Sequence, residues 1–242
     1  MTSPRRVYYA VGLALIAVGL LHLVVYFADD RPWAGPVSWR KATTFGVSFG
    51  LTLITVTWLA AYLPLSARRR DVLLGVFALD CCVEVGGIAL QAWRDVPSHV
   101  NRSTPFDSLV STILAAGGFV LVVVLGFMSV TSLRAKASPS MRLALRAGFA
   151  TLVIGLLSGA AMIARGVAEV NAGHQQRAYE VLGYLKPLHG VSLHGVLVLP
   201  ALAWLLSRLE CPEPRRVRAL AWATATYGAA IAAALAYSIA TA

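Results

Sequence analysis

Two carboxylates, Asp80 and Glu84, stand inside an apolar run long enough to cross a bilayer, and His22 and His194 stand inside two others. An ionisable side chain at membrane depth is expensive unless a partner or water meets it, so residues of this kind mark a site. Asp80, Glu84, Ile88 and Gln91 recur at spacings of three and four, which places both acids and the amide on one stripe of a helix. The run then opens into a polar segment, Arg94 to Asp107, that holds His99. Glu84 suits a carboxylate ligand or a proton acceptor, with His99 and Asp107 as further catalytic candidates. Lys41, Ser48, Gln91 and Arg94 are candidates for binding a substrate, Lys41 and Arg94 by holding an anionic group.

The histidines add a metal reading. With a rise of ~1.5 Å per residue, Glu84 falls roughly 12 to 14 Å below the end of its helix, while His22, Ser48 and His194 fall roughly 9 to 10 Å below the ends of theirs. His22 and His194 at matched depth are candidate axial ligands of a haem b, or ligands of a transition metal, with His189 as a further donor. His189 and His194 are five residues apart, about 140° around a regular helix, so they do not readily share one ion. The expected arrangement has His189 facing a vestibule with Lys41, Arg94, His99, Asp107 and His174, and His194 facing the bundle. Asp80, beside Cys81 and Cys82, is expected to bond within the bundle.

The elements that must position these groups follow from composition. Hydrophobic residues make up 58% of the 242, charged residues only 13%, and the mean hydropathy is +0.70. A soluble domain carries about a quarter charged residues, so the chain reads as an integral membrane protein. Its apolar runs are about 20 residues long, the length of a spanning helix, and show no strand-like alternation. The fold class is therefore all-α and polytopic: a single seven-helix domain with spans at about 7–28, 42–63, 72–93, 108–130, 143–164, 187–206 and 217–240. A short interfacial helix is expected within 175–186. Gly46-x-x-x-Gly50 and Gly155-x-x-x-Gly159 fit the small-residue pattern that lets helices approach closely. The three cysteines form neither a disulfide framework nor a zinc motif.

The net charge of +10 has a topological explanation. One set of connections carries thirteen basic and three acidic residues, the other eight and six. Basic connections stay cytoplasmic, which predicts a cytoplasmic amino terminus, an external carboxyl terminus and a site opening outward. The partner implied is the lipid bilayer, with a small molecule or lipid as substrate, and not nucleic acid. The last span lacks a lysine for retinal, and no zincin, Walker, nucleophile-elbow or dinucleotide motif is present.

Gln91-x-x-Arg94-x-x-x-Ser98-His99-x-Asn101-x-x-Thr104-Pro105-x-Asp107 resembles a motif of an uncharacterised family of bacterial multi-pass membrane proteins. His189-x-x-x-x-His194-x-x-x-x-x-Pro200 is similar to that family's second motif, and Lys41-x-x-x-Phe45-x-x-Ser48 to its pattern in the second span, where the family usually has proline at the position of Ala42. The resemblance implies a shared outward site at the cell membrane and names no reaction. Three functional classes stay open at this level: a metal- or haem-dependent membrane enzyme or redox protein, a small transporter or ligand-binding protein using Glu84 as a proton or cation site, and a structural partner subunit.

Overall fold

The computed structural model describes residues 4–241. Among these the chain is all-helical, with eight helices and no strand: α1 Pro4–Phe27, α2 Trp39–Leu59, α3 Ala67–Trp93, α4 Pro105–Ser132, α5 Pro139–Asn171, α6 Gln175–Val181, α7 Lys186–Ser207 and α8 Glu213–Ala240. All but α6 are long and apolar enough to cross a bilayer, as in a multi-pass membrane protein. Large apolar side chains such as Leu13, Val24, Leu79 and Phe119 lie exposed along them, as lipid contact requires.

Local chemistry sets the helix ends. Thr104, Pro105 and Asp107 start α4: the Thr104 hydroxyl accepts from the Asp107 amide (3.1 Å) and donates to Asp107 Oδ2 (2.7 Å), a reciprocal cap with proline at the first helical position. Ser138 and Pro139 start α5 in the same way, with Met141 N–H reaching Ser138 Oγ. α2 begins at Trp39, three residues before the expected start, and this brings Lys41 onto the same helical face as Phe45 and Ser48.

The helices group into two compact units. The first holds residues up to Trp58 together with Ala67–Leu121 and Arg165–Glu180. Within it α1 and α2 meet through glycine. A Cβ at Gly46 would lie 2.6 Å from Gly19 Cα and 2.9 Å from the Leu15 carbonyl, and one at Gly50 would run into the Gly12 carbonyl. The Gly46-x-x-x-Gly50 pattern thus does what its spacing implies, letting two backbones touch. Beside this crossing, Trp39, Ala42, Ile88, Ala92, Val110 and Leu114 form an apolar cluster.

The second unit holds Leu59–Ser66, Val122–Ala164 and the chain from Val181 onward. Here Gly148, Gly155 and Gly159 of α5 receive α7: a Cβ at Gly155 would meet Leu193, and one at Gly159 would meet the His189 ring at 2.8 Å. Tyr227 of α8 donates to the Val191 carbonyl (2.7 Å), and Glu213 accepts the Ser140 amide (2.7 Å), tying α8 to α7 and α5.

Candidate functional site

The first unit gathers most of the polar residues singled out in the sequence. Asp80 and Glu84 are buried one turn apart on α3, 7% and 3% exposed. Both carboxylates point at Gly117 of α4, where a Cβ would fall 2.6 Å from Glu84 Oε1 and 2.8 Å from Asp80 Oδ1. Only glycine leaves the acids this space. Asp80 Oδ2 is buried with no hydrogen-bond partner, against the expectation that Asp80 bonds within the bundle. Lys41 of α2 contributes a positive field at Glu84. Two like charges so close in a low-dielectric setting are strongly unfavourable, so the pair calls for a bound proton or cation.

Lys41 itself engages the loop that follows α3. Its Nζ lies 2.8 Å from Ser98 Oγ and 3.2 Å from His99 Nδ1, and Ser98 Oγ lies 2.9 Å from His99 Nδ1. Burial first, then the charge of Lys41, push the His99 pKa well below the usual histidine value, so the ring is neutral and one nitrogen is free to accept. The sign of the resulting pH dependence follows. An unfolded His99 takes up its proton near 6.5, whereas the folded one resists until well below that, so between the two values the unfolded state binds more protons. Stability should fall as the pH drops through about 6.5. In detergent, the apparent melting temperature should be lower at about pH 5 than at neutrality, and His99→Gln should flatten that drop; equal slopes in the two proteins would contradict it.

A third group closes the loop onto the helices. Gln91, fully buried, donates from Nε2 to Asp107 Oδ1 (2.9 Å), and Arg94 donates to both Gln91 Oε1 and Asp107 Oδ1 while stacking 4.7 Å from the Phe106 ring. Asp107 is 1% exposed and is saturated by these donors and by Thr104. Gln91, Arg94 and Asp107 therefore brace the ends of α3 and α4. Between them the loop is held tightly. Asn101 accepts from the Ser103 amide and hydroxyl and donates to the Pro97 carbonyl, and its own amide reaches Ser111 Oγ. Asn101 is fully buried. Val100 sits at φ +52°, with its carbonyl taken by Gln175 of the α6 segment (2.8 Å). A β-branched residue in the left-handed region carries strain of about 1–3 kcal/mol, which persists only where surrounding contacts enforce it.

His22 occupies a different neighbourhood of the same unit. It is buried; Nδ1 lies 2.8 Å from the Val18 carbonyl, and Nε2 accepts from Trp93 Nε1 at 3.1 Å. The ring packs beside Trp39, which meets Trp93 edge-to-face and lies 4.0 Å below the Arg31 guanidinium. Arg31 in turn pairs with Asp29 and Asp95 and donates to the Ala92 carbonyl. Hydrogen bonds from Arg31 hold the Asp29 carboxyl below its ordinary value. With both ring nitrogens engaged, His22 would have to surrender a hydrogen bond to ligate iron or another metal. Ser48 is half-buried on α2.

In the second unit His189 and His194 reverse the orientations expected of them. His189 turns into the helix packing, its Nδ1 2.7 Å from the Gly155 carbonyl and 3.3 Å from Ser158 Oγ, because the missing side chain at Gly159 leaves room for the ring. His194 is exposed on α7, its Nδ1 turned back to the Gly190 carbonyl. His174 is exposed and pairs with Glu169 (3.2 Å). Among the described residues, no group of three or more His, Cys, Asp or Glu is arranged to hold a metal ion.

Sequence reasoning passed over Ser38. Its hydroxyl is buried without a partner, and it lines a cavity of about 10 Å³ together with Lys41, Ile88 and Ser98. That volume suits one water and little else. The first unit thus holds a filled polar network with a water-sized space beside Lys41, and a larger open cavity of about 680 Å³ lined by Glu169, His174, Gln175 and Arg177. A serine directly before a helix reads as an N-cap, and nothing in the sequence indicated that the Ser38 hydroxyl would instead be buried without a partner. No protein-family model, characterised protein or solved structure matches this chain.

Proposed function

We propose that this chain is a small multi-pass membrane transporter or ligand-binding protein that takes up a proton at the Asp80/Glu84 pair. The observation that carries the reading is the pair itself: two buried acids one turn apart, facing one glycine, with Asp80 Oδ2 lacking any donor. In a bilayer such a pair is neutralised by a proton or a small cation. The proton is favoured because one carboxyl holds it without the shell of oxygen ligands that a metal cation needs. The charge distribution of the connections supports an orientation with the amino terminus in the cytoplasm and the Arg94–Asp107 loop outside. A metal or haem enzyme using His22, His189 and His194 draws less support, since His22 and His189 already spend ring nitrogens on hydrogen bonds.

The test is charge displacement. Proteoliposomes adsorbed on a solid-supported membrane, given an external pH jump, should show a transient current as protons enter the pair. Glu84→Gln should remove most of that current, and Asp80→Asn should reduce it. A current no larger than that of protein-free vesicles, or one indifferent to Glu84→Gln, rules the reading out.

A further inference from the structure

The end of the second unit that carries the α4–α5 and α7–α8 connections is basic, and its charge meets almost no acid. Glu213 at the start of α8 accepts the Ser140 amide at the start of α5 (2.7 Å), which sets the two connections side by side. Arg134, Lys136, Arg142 and Arg146 are exposed at the first connection, and Arg208, Arg215 and Arg218 at the second. The acids of this unit are Glu210 and Glu213, and Glu213 is spent on Ser140 and Arg216. Among the described residues, no salt bridge joins any of those exposed bases to an acid. Arg142 and Arg215 also stand in the first turns of α5 and α8, where the helix dipole already presents positive charge. The compensating anions must come from outside the protein.

A second observation says what kind of anion they are. Trp204 of α7 and Trp222 of α8 are exposed, at 40% and 72%. Each lies four residues from an exposed arginine, Arg208 and Arg218, on the side toward the middle of its helix. By helical rise each indole sits ~6 Å deeper than its guanidinium, and the Arg208 guanidinium lies 5.0 Å over the Trp204 ring. Leu205 and Leu209 are exposed in the same turns of α7. Orientation during insertion accounts for the number of bases and leaves the tryptophans unexplained; exposed indoles belong at the level of the lipid headgroups. An arginine one turn above an indole matches a phospholipid from its phosphate to its first methylenes, whereas a free phosphate would use the arginine alone.

We propose that this end of α7 and α8, together with the α4–α5 connection, is a docking surface for anionic phospholipid. The guanidinium groups of Arg208, Arg215 and Arg218 take the phosphate, and Trp204 and Trp222 take the glycerol and upper chains. The surface is independent of the Asp80/Glu84 pair, which belongs to the other unit.

The test is lipid retention. The full chain, held in nanodiscs with equal amounts of phosphatidylglycerol and phosphatidylcholine, is released into detergent, and the lipid that stays bound is counted by native mass spectrometry. The wild type should keep phosphatidylglycerol in preference, and the double variant Arg215→Gln with Arg218→Gln should lose about fivefold of that preference per arginine. Trp222→Ala keeps every charge and should lower the total lipid retained. Arg177→Gln removes an exposed arginine of α6 that pairs with Glu169, and should leave the preference unchanged. Gel filtration confirms that each variant is monodisperse. A wild type without preference, a preference that survives the double substitution, or an equal loss in Arg177→Gln overturns the proposal. Complete displacement of the lipid by millimolar inorganic phosphate also overturns it, since the surface would then serve a free anion.

Discussion

Gly46→Leu should leave almost no correctly folded protein. A Cβ at this position already falls 2.6 Å from Gly19 Cα and 2.9 Å from the Leu15 carbonyl, and these are backbone atoms that no rotamer change can move aside. Overpacking a buried site usually destabilises by about 1–3 kcal/mol; here two helices must separate along their whole crossing, so the loss should sit at or beyond the top of that range. The same substitution at Gly118 of α4 meets nothing within 4 Å and supplies the control. The measurement is the monodisperse fraction after detergent extraction, together with the apparent melting temperature. If Gly46→Leu and Gly118→Leu behave alike, the close α1–α2 crossing is wrong.

Arg94→Ala should give the next largest loss. Arg94 donates to Gln91 Oε1 and Asp107 Oδ1 at once, and Asp107 is almost fully buried. Removing one partner of a buried pair typically destabilises by about 3–5 kcal/mol, because the other charge is left uncompensated. The Arg94 side chain is 35% exposed and Asp107 keeps Gln91 and Thr104 as donors, so about 2 kcal/mol is expected here. Arg94→Lys should recover only part of it, because an ammonium cannot reproduce the planar fork or the stacking on Phe106. Thermal unfolding in detergent compares the three proteins, and full recovery by lysine would show that charge alone matters.

The Arg94–Asp107 segment shows how one string of residues carries two kinds of information. Thr104-Pro105-x-Asp107 is a helix start, and its geometry was available from residue types alone, since a hydroxyl, a proline and an acid at those offsets satisfy the first amides of a helix. Gln91 and Arg94 are recognisable as polar groups three residues apart on a helix. That they close on Asp107 depends on where α4 returns beside α3, and no spacing along the chain encodes that return. Arg94 and Asp107 consequently hold the ends of α3 and α4 together.

His22 and His189 illustrate the limit from the other direction. Counting rise per residue placed His22 at a set depth and left His189 for the vestibule, but a histidine's role depends on what its two nitrogens meet. For His22 these are the Val18 carbonyl and the indole of Trp93, and for His189 the Gly155 carbonyl reached across a glycine face. The Trp93 and Gly155 partners come from packing, and packing is a property of pairs of helices.

By itself the sequence determined that this chain is all-helical, which seven runs can cross a bilayer, that Gly46 with Gly50 and Gly155 with Gly159 admit close neighbours, and that Asp80, Glu84 and Gln91 share one stripe. These are consequences of backbone hydrogen bonding in an apolar medium and of the 3.6-residue period, both of which act locally. The tertiary structure alone decided that Gly117 faces the two acids, that Lys41 reaches Ser98 and His99, and that a buried serine hydroxyl lines the small space beside them. Those outcomes depend on the rotation and neighbours of each helix, and helix rotation in a membrane is fixed by side-chain fit, because lipid solvates every apolar face about equally well.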